Sequence, residues 1–298
     1  MKKILIAGGT GFIGYHLAKK LKKFGYKITS LSLTKPKKIR KIKGVKYILC
    51  DVYSYNKLKK KINKHFDYII NLSGHVDHKN RTKVFKSHEQ GLKNLVNLFK
   101  NKRIKHFIQI GSSAEYGKSN IANKESFKCK PLSVYGLAKL NATKYSISAF
   151  NAFKFPITVL RLYQAYGPYQ DNNRLIPIVI NSCKKNIIFN CSSGNQFRDY
   201  VYIDDVVDFI LKILNNPATY GKILNLGSGK KQKIKNIILK IQKFFQSGKP
   251  NFGVIKLRKD EPKYSYPDLS KVKSLIKWKP KTSFDEGLKK TIQYYEKK

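Results

Sequence analysis

Residues 3–14, KILIAGGTGFIG, followed by YHLAKKLKKF at 15–24, decide how the rest of the chain is read. The run of apolar residues 4–7 suits a short strand buried on both faces. Gly8, Gly11 and Gly14 then recur at three-residue intervals, and the apolar residues return at the three- and four-residue spacing of an amphipathic helix. A strand that turns into a helix through glycines brings a helix N-terminus up to a pyrophosphate with no side chains in the way. The free N–H groups and the helix dipole then hold the phosphates. The spacing is GxxGxxG, and its place after a strand and before a helix is the context in which such a loop binds a dinucleotide. Phe12 and Ile13, inside the loop, are cofactor contacts on the same reading.

Outward from this loop the alternation continues. KITSLSL, KYILCD, DYIINLS, KHFIQIGS and PITVLRL read as strands, and VFKSHEQGLKNLVNLFKN (84–101) reads as a helix between two of them. Strands alternating with helices predict a parallel sheet covered on both faces. The order breaks after about Arg161. Residues 1–165 are assigned to the nucleotide-binding domain, with some later segments returning to it, and 166–298 to a smaller substrate lobe.

The charge is extreme, +45 from 62 basic and 17 acidic residues, and would attract any polyanion. Lysines are spread from Lys2 to Lys298 without a basic tail, and arginine, the residue of base reading, is scarce. The sequence therefore predicts no specific nucleic-acid partner, while anionic small substrates suit the charge. No stretch approaches the roughly 20 apolar residues of a membrane span. Cys50, Cys129, Cys183 and Cys191 show no CxxC spacing, so a soluble protein of the reducing cytoplasm is expected. HVDH (His75, His78), with His88 further on, lacks a convincing third ligand, and no metal is predicted.

The end of the second strand bears on which dinucleotide binds. An acid there would accept hydrogen bonds from the adenosine ribose and favour NAD(H). The sequence is ITSLSLTKPKK (28–38), with Ser32 near that position and Lys35, Lys37 and Lys38 after it. A hydroxyl and lysines suit a 2′-phosphate, so NADP(H) is favoured. Asp51 in LCDV, with Val52 beside it, is a candidate for the adenine amino group, and Leu72 and Ser73 end the fourth strand at the same cofactor edge.

YGLAK (135–139) places Tyr135 and Lys139 one helical turn apart on one face. A nearby ammonium and the positive ring of an oxidised nicotinamide would stabilise the phenolate and lower its pKa. The phenol then suits proton exchange with a carbonyl or alcohol. Upstream, QIGSSAEYG (109–117) offers Ser112 at the end of a strand.

With GGTGFIG, LCDV, GSSAEYG, YGLAK, LRLYQAYGP, NRLIP, GNQFRDYVYIDDVV and the closing SLIKWKPKTSFDEGLKKTI in order, nearly the whole chain resembles the extended short-chain dehydrogenase/reductase family of nucleotide-sugar epimerases, dehydratases and reductases. The resemblance implies an α/β fold, a Rossmann-type doubly wound parallel sheet with a smaller mixed α/β C-terminal lobe, and a homodimer joined through helices that include the Tyr135 helix. It implies that Ser112, Tyr135 and Lys139 are catalytic, with Lys139 also on the nicotinamide ribose. For the nucleotide-diphosphate sugar it implies Arg198 on the diphosphate and Arg258 as a second arginine, although RKD at 258–260 replaces the commoner RPG. Gln164 stands for a frequent Asn, and Ser113 and Arg174 complete the substrate set. Asp204 and Asp205 read as a helix N-terminal anchor.

The family's dehydratases carry an Asp–Glu pair directly after the Ser/Thr, where this chain has Ser113 and Ala114. Dehydration is disfavoured, as is the decarboxylating branch, which tends to have a Glu at the position of Ala114. Glu115 would face away in an extended segment, and with Tyr116 reads as structural. GSSAEYG is similar to the segment of reductases acting on keto-deoxy sugars. The expected activity is NADPH-dependent 4-ketoreduction of a nucleotide-linked 4-keto-6-deoxy sugar. One alternative is a 4-epimerase with tightly bound NAD. A non-catalytic Rossmann-fold regulator or RNA-binding protein is the alternative outside enzymes.

Overall fold

A computed structural model of the chain describes residues 1–75, 80–258 and 260–297. The first six strands are β1 (Lys3–Ala7), β2 (Lys27–Ser32), β3 (Lys46–Leu49), β4 (Tyr68–Asn71), β5 (His106–Ile110) and β6 (Ile157–Leu162). The later strands are β7 (Gln164–Tyr166), β8 (Ile188–Asn190), β9 (Phe197–Tyr202), β10 (Ile223–Leu226), β11 (Lys231–Lys233), β12 (Lys249–Asn251) and β13 (Tyr264–Ser265). The main sheet runs β3-β2-β1-β4-β5-β6-β10, and every pairing in it is parallel. β4 and β5 are buried throughout, and β1 and β6 except at Lys3 and Leu162, which is why these strands are mostly apolar and do not alternate.

Strand order reverses at β1: the chain moves to β2 and β3 on one side, then returns to β4 on the other. Ala7 lies in register with Leu31 and with Asn71, so the C-terminal ends of β1, β2 and β4 open on one crevice. That switch point is where ligands bind in sheets of this kind.

The helices that matter for the crevice are α1 (Phe12–Lys23), α2 (Tyr55–Lys61), α3 (Arg81–Phe85), α4 (Gly91–Phe99), α5 (Val134–Phe153), α6 (Leu175–Lys184) and α7 (Ile203–Ile213). The segment 84–101, read from sequence as one helix, is interrupted: a π-helical turn over Lys86–Gln90 separates α3 from α4. Helix α5 buries Gly136, Ala138, Ala142 and Ala149, small side chains that let it lie close against its neighbours. Ser133 caps it by accepting from Gly136 N–H at 3.0 Å, which places Tyr135 in the first turn.

In the later part of the chain β9 pairs with β7, β11 and β13, and β8 pairs with β12. β10 returns to the main sheet beside β6, and α7 packs on α1. One hydrophobic core joins Ile4, Leu17 and Ile70 to Ile180, Phe209 and Tyr295. Among the described residues no helix is long and apolar enough to cross a membrane.

Candidate active site

A cavity of about 1190 Å³ runs from the glycine loop, past the end of β5, to the arginines of the later segments. At its first end the glycines are required by geometry. Gly8 has φ +80°, and a Cβ there would lie 2.8 Å from the Leu72 main chain. A Cβ on Gly14 would lie 2.5 Å from Gly8 O. Gly11 caps α1 without a side-chain hydrogen bond, and Gly11, Phe12 and Ile13 line the cavity at the helix N-terminus. This is a cradle that a side chain would fill, and it fits a dinucleotide pyrophosphate. Leu72 and Ser73 line it from β4, with the Ser73 hydroxyl 2.5 Å from Asn71 Oδ1.

At the end of β2 the wall is Ser32, Leu33 and Thr34. Ser32 Oγ accepts from Thr10 N–H at 3.3 Å. The lysines after it are placed elsewhere: Lys35 is exposed and off this wall, and Lys37 pairs with Asp171 at 2.7 Å. Arg40, buried, pairs with the same Asp171 at 3.1 Å. Lys35, Lys37 and Lys38 are not among the residues that line this end of the cavity. Asp51 and the buried Val52 line it, Asp51 Oδ1 accepting from Tyr53 N–H at 3.2 Å.

The middle of the cavity brings Ser112, Tyr135 and Lys139 together. Ser112 ends the connection from β5 and the Tyr135 phenol hydrogen-bonds its side chain. Lys139 is 4% exposed, donates to Ile110 O at 2.8 Å and lies 5.8 Å from the Tyr135 ring centre. Burial lowers its pKa to about 8, against which the Glu115 charge works in the opposite direction. The Tyr135 phenol is shifted upwards. Burial of its hydroxyl raises its pKa above that of an ordinary phenol, outweighing the lowering by its hydrogen bond to Ser112. With its pKa raised above that of an ordinary phenol, Tyr135 is protonated at neutral pH.

Sequence reasoning left Glu115 and Arg161 without a part in the site. Residues Ser113–Glu115 form a 3₁₀ turn instead of extended chain, so Glu115 swings into the core, fully buried. It accepts from Ser112 N–H at 2.7 Å, Thr143 Oγ1 at 2.8 Å and Arg161 Nε at 2.8 Å. Burial pushes its carboxyl up, and the Arg161 guanidinium is the largest of the forces working against that. With Ser112 Oγ accepting from Ala114 N–H at 3.2 Å, this is a reciprocal capping box. The S-x-x-E pattern at 112–115 was the available signal. Tyr116 is buried and donates to Asn225 Oδ1 at 2.7 Å. A second residue without a sequence signal is His88. The π-helical turn sets its ring edge-on to Tyr135, with 5.1 Å between ring centres, and its Nε2 lies 3.0 Å from His75 O.

On the substrate side Ser113, Gln164, Arg174, Arg198 and Arg258 all line the same cavity. Gln164 and Arg174 are exposed on its wall, Arg174 at the N-cap of α6. Arg198 and Arg258 both pair with Glu261, Arg258 at 2.6 Å. Asp204 and Asp205 lie in the first turn of α7, and Asp205 accepts from Lys281 and Thr282 N–H, tying down the C-terminal segment. His78 lies outside the described residues; among those described, no three His, Cys, Asp or Glu side chains form a metal-holding group. Cys183 and Cys191 are buried free thiols, the first pushed up to about 11 by burial.

The family model described as "NAD dependent epimerase/dehydratase family" matches residues 4–227. The CDP-abequose synthase of Salmonella muenchen is 28% identical, covering 99% of this chain and 98% of the relative. The UDP-glucuronate 4-epimerase of Thermodesulfobacterium geofontis is 26% identical over 97% of this chain and 95% of the relative. Among solved structures, a Tyr-to-Phe variant of the UDP-glucuronic acid 4-epimerase of Bacillus cereus, in complex with UDP-4-deoxy-4-fluoro-glucuronic acid and NAD, is 25% identical. It superposes with a TM-score of 0.89 over 99% of both chains.

Proposed function

The chain belongs to the NAD dependent epimerase/dehydratase family, and on that premise we propose that it reduces the 4-keto group of a nucleotide-linked 4-keto-6-deoxy sugar. The observation that carries this reading is the state of the groups around Tyr135. Family-type water elimination needs carboxylates next to Ser112, and the chain offers Ser113 and Ala114 there, with Glu115 locked into the core by Arg161. Of the cavity-wall carboxylates among the described residues, Asp171, Asp260 and Glu261 are paired with basic groups, and Asp51 sits at the adenosine end. What remains is a protonated phenol beside a hydroxyl and an ammonium, which is proton-donating equipment.

When bound, the dinucleotide supplies the hydride to the sugar carbon. Ser112 holds the carbonyl oxygen by a hydrogen bond, and the Tyr135 phenol delivers the proton to that oxygen as negative charge develops on it. Lys139, positively charged below about pH 8, stabilises the phenolate left behind. The raised pKa of Tyr135 suits this direction, because the proton must be present at the start. Arg198 and Arg258 would hold the diphosphate.

NADP(H) is the preferred donor on this reading because β2 ends without an acid and offers the Ser32 and Thr34 hydroxyls. The likeness to CDP-abequose synthase supports a nucleotide-linked sugar as the substrate. The second reading, 4-epimerisation with retained NAD, is favoured by the likeness to UDP-glucuronate 4-epimerase and by the absence of lysines from the Ser32 wall. Leu137, exposed on α5, is an apolar contact for the proposed homodimer. Turnover of NADPH and NADH with dTDP- and CDP-4-keto-6-deoxyglucose tests the choice. Steady oxidation of NADPH is expected. Stoichiometric retained NAD, with interconversion of C4 epimers and no net oxidation of added coenzyme, would replace reduction by epimerisation.

A further inference from the structure

The two arginines assigned to the diphosphate already hold an anion that belongs to the protein. Arg258 directs Nε and Nη2 to Glu261 Oε2 at 3.3 and 2.6 Å. Arg198, 7% exposed, directs Nη2 to Glu261 Oε1 and to Pro262 O, the latter at 2.7 Å. Its Nη1 donates to Phe197 O at 2.6 Å and to Lys263 O at 3.4 Å. Glu261, both arginines and Ser112 line one cavity.

A guanidinium grips a phosphate by two parallel N–H groups, and it has five N–H groups in all. In Arg258 the Nε–Nη2 edge, one such fork, is spent on Glu261. In Arg198 all four Nη hydrogens are directed at acceptors, three of them main-chain carbonyls fixed by β9 and the neighbouring segment. The one acceptor common to both arginines is a side chain that can rotate away. A diphosphate cannot take the Arg258 Nε–Nη2 fork and the Arg198 Nη2 hydrogen while Glu261 keeps them, because two anions would then share the same donors at contact distance.

We propose that Glu261 is a resident counter-anion of the diphosphate subsite, exchanged for the diphosphate when the nucleotide sugar binds, and that this exchange sets nucleotide affinity. The idea rests on the nucleotide-sugar reading above. It explains how a buried arginine is kept paired and satisfied in the free protein, since an unpaired charge there would be costly. Binding then trades one carboxylate for a group of higher charge and better fork geometry.

The test is calorimetric titration of the whole protein with UDP, CDP, GDP and dTDP at fixed ionic strength, comparing wild type with Glu261→Gln. The matching nucleosides serve as controls. Losing one competing charge-assisted contact is expected to tighten the diphosphates by about tenfold and leave nucleoside binding unchanged. Glu261→Asp keeps the charge and shortens its reach; a smaller tightening is expected, and it keeps the question open to experiment if the Gln variant does not fold. Unchanged or weaker diphosphate binding in these variants, with wild type binding normally, overturns the exchange and makes Glu261 a scaffold for the arginines. Failure of all four nucleotides to bind either protein overturns the nucleotide-sugar reading, and the exchange with it.

Discussion

Lys139→Met should make the protein more stable while removing its activity. The unfolded chain holds this lysine near its ordinary 10.5, and burial lowers the folded value to about 8. Between those values the unfolded state binds a proton that the folded state has released, so stability rises with pH across that window. Below about pH 8 the folded state carries the full cost of burying the ammonium. At 1.36 kcal/mol per pKa unit this is about 3 kcal/mol. Methionine has a similar length and no charge, and it gives up one hydrogen bond to Ile110 O, worth about 1 kcal/mol. The net gain is about 2 kcal/mol at pH 7, or roughly 3 °C in Tm for a chain of 298 residues. Urea or thermal unfolding of both proteins at pH 7, 9 and 10.5 reads it, with the difference shrinking towards the alkaline end. Turnover should fall by about 10²-fold or more, the scale of a lost acid–base partner. In wild type, turnover should decline as pH rises through about 8, as Lys139 loses its proton. A variant less stable than wild type at pH 7, or a difference that ignores pH, would refute burial as the cause of the lysine's shift.

Two further substitutions probe the scaffold of the site. Glu115→Gln leaves Arg161 buried without its counter-charge, which should cost about 3–5 kcal/mol; the paired Glu115→Met/Arg161→Met variant should recover much of that, as read by urea midpoints. Gly14→Ala puts a methyl 2.5 Å from Gly8 O in the glycine loop, and should abolish dinucleotide binding in a fluorescence titration while the nucleoside diphosphate still binds.

The main sheet was legible because strands buried on both faces are written as continuous apolar runs, and the glycine loop because its turn and its cradle leave no room for Cβ atoms. The crossing of α3 into α4 was not legible. A π-helical turn adds a residue to the period without changing which residues are apolar, so nothing in 84–101 pointed His88 at Tyr135. Glu115 was misplaced on an extended segment, although S-x-x-E is a capping signature that predicts the tight turn. The lysines after β2 illustrate a different limit. Their local position suited a phosphate, but the acid that takes Lys37 comes from residue 171, in another part of the chain. For Tyr135 the neighbouring lysine was visible in the sequence and the burial of the phenol was not. Glu261 sits three residues from Arg258 in sequence, yet its grip on Arg198 depends on the pairing of β13 with β9.

On the proposed reaction the site moves hydride to the sugar's carbon 4 and a proton to the oxygen, with no elimination of water. A single turnover with nicotinamide coenzyme deuterated at the transferring position and a nucleotide-linked 4-keto-6-deoxy sugar, followed by mass and NMR analysis of the product, decides it. One deuterium at carbon 4 and one equivalent of oxidised coenzyme are expected. A product that has lost water, or a sugar that changes configuration without acquiring deuterium, would contradict it.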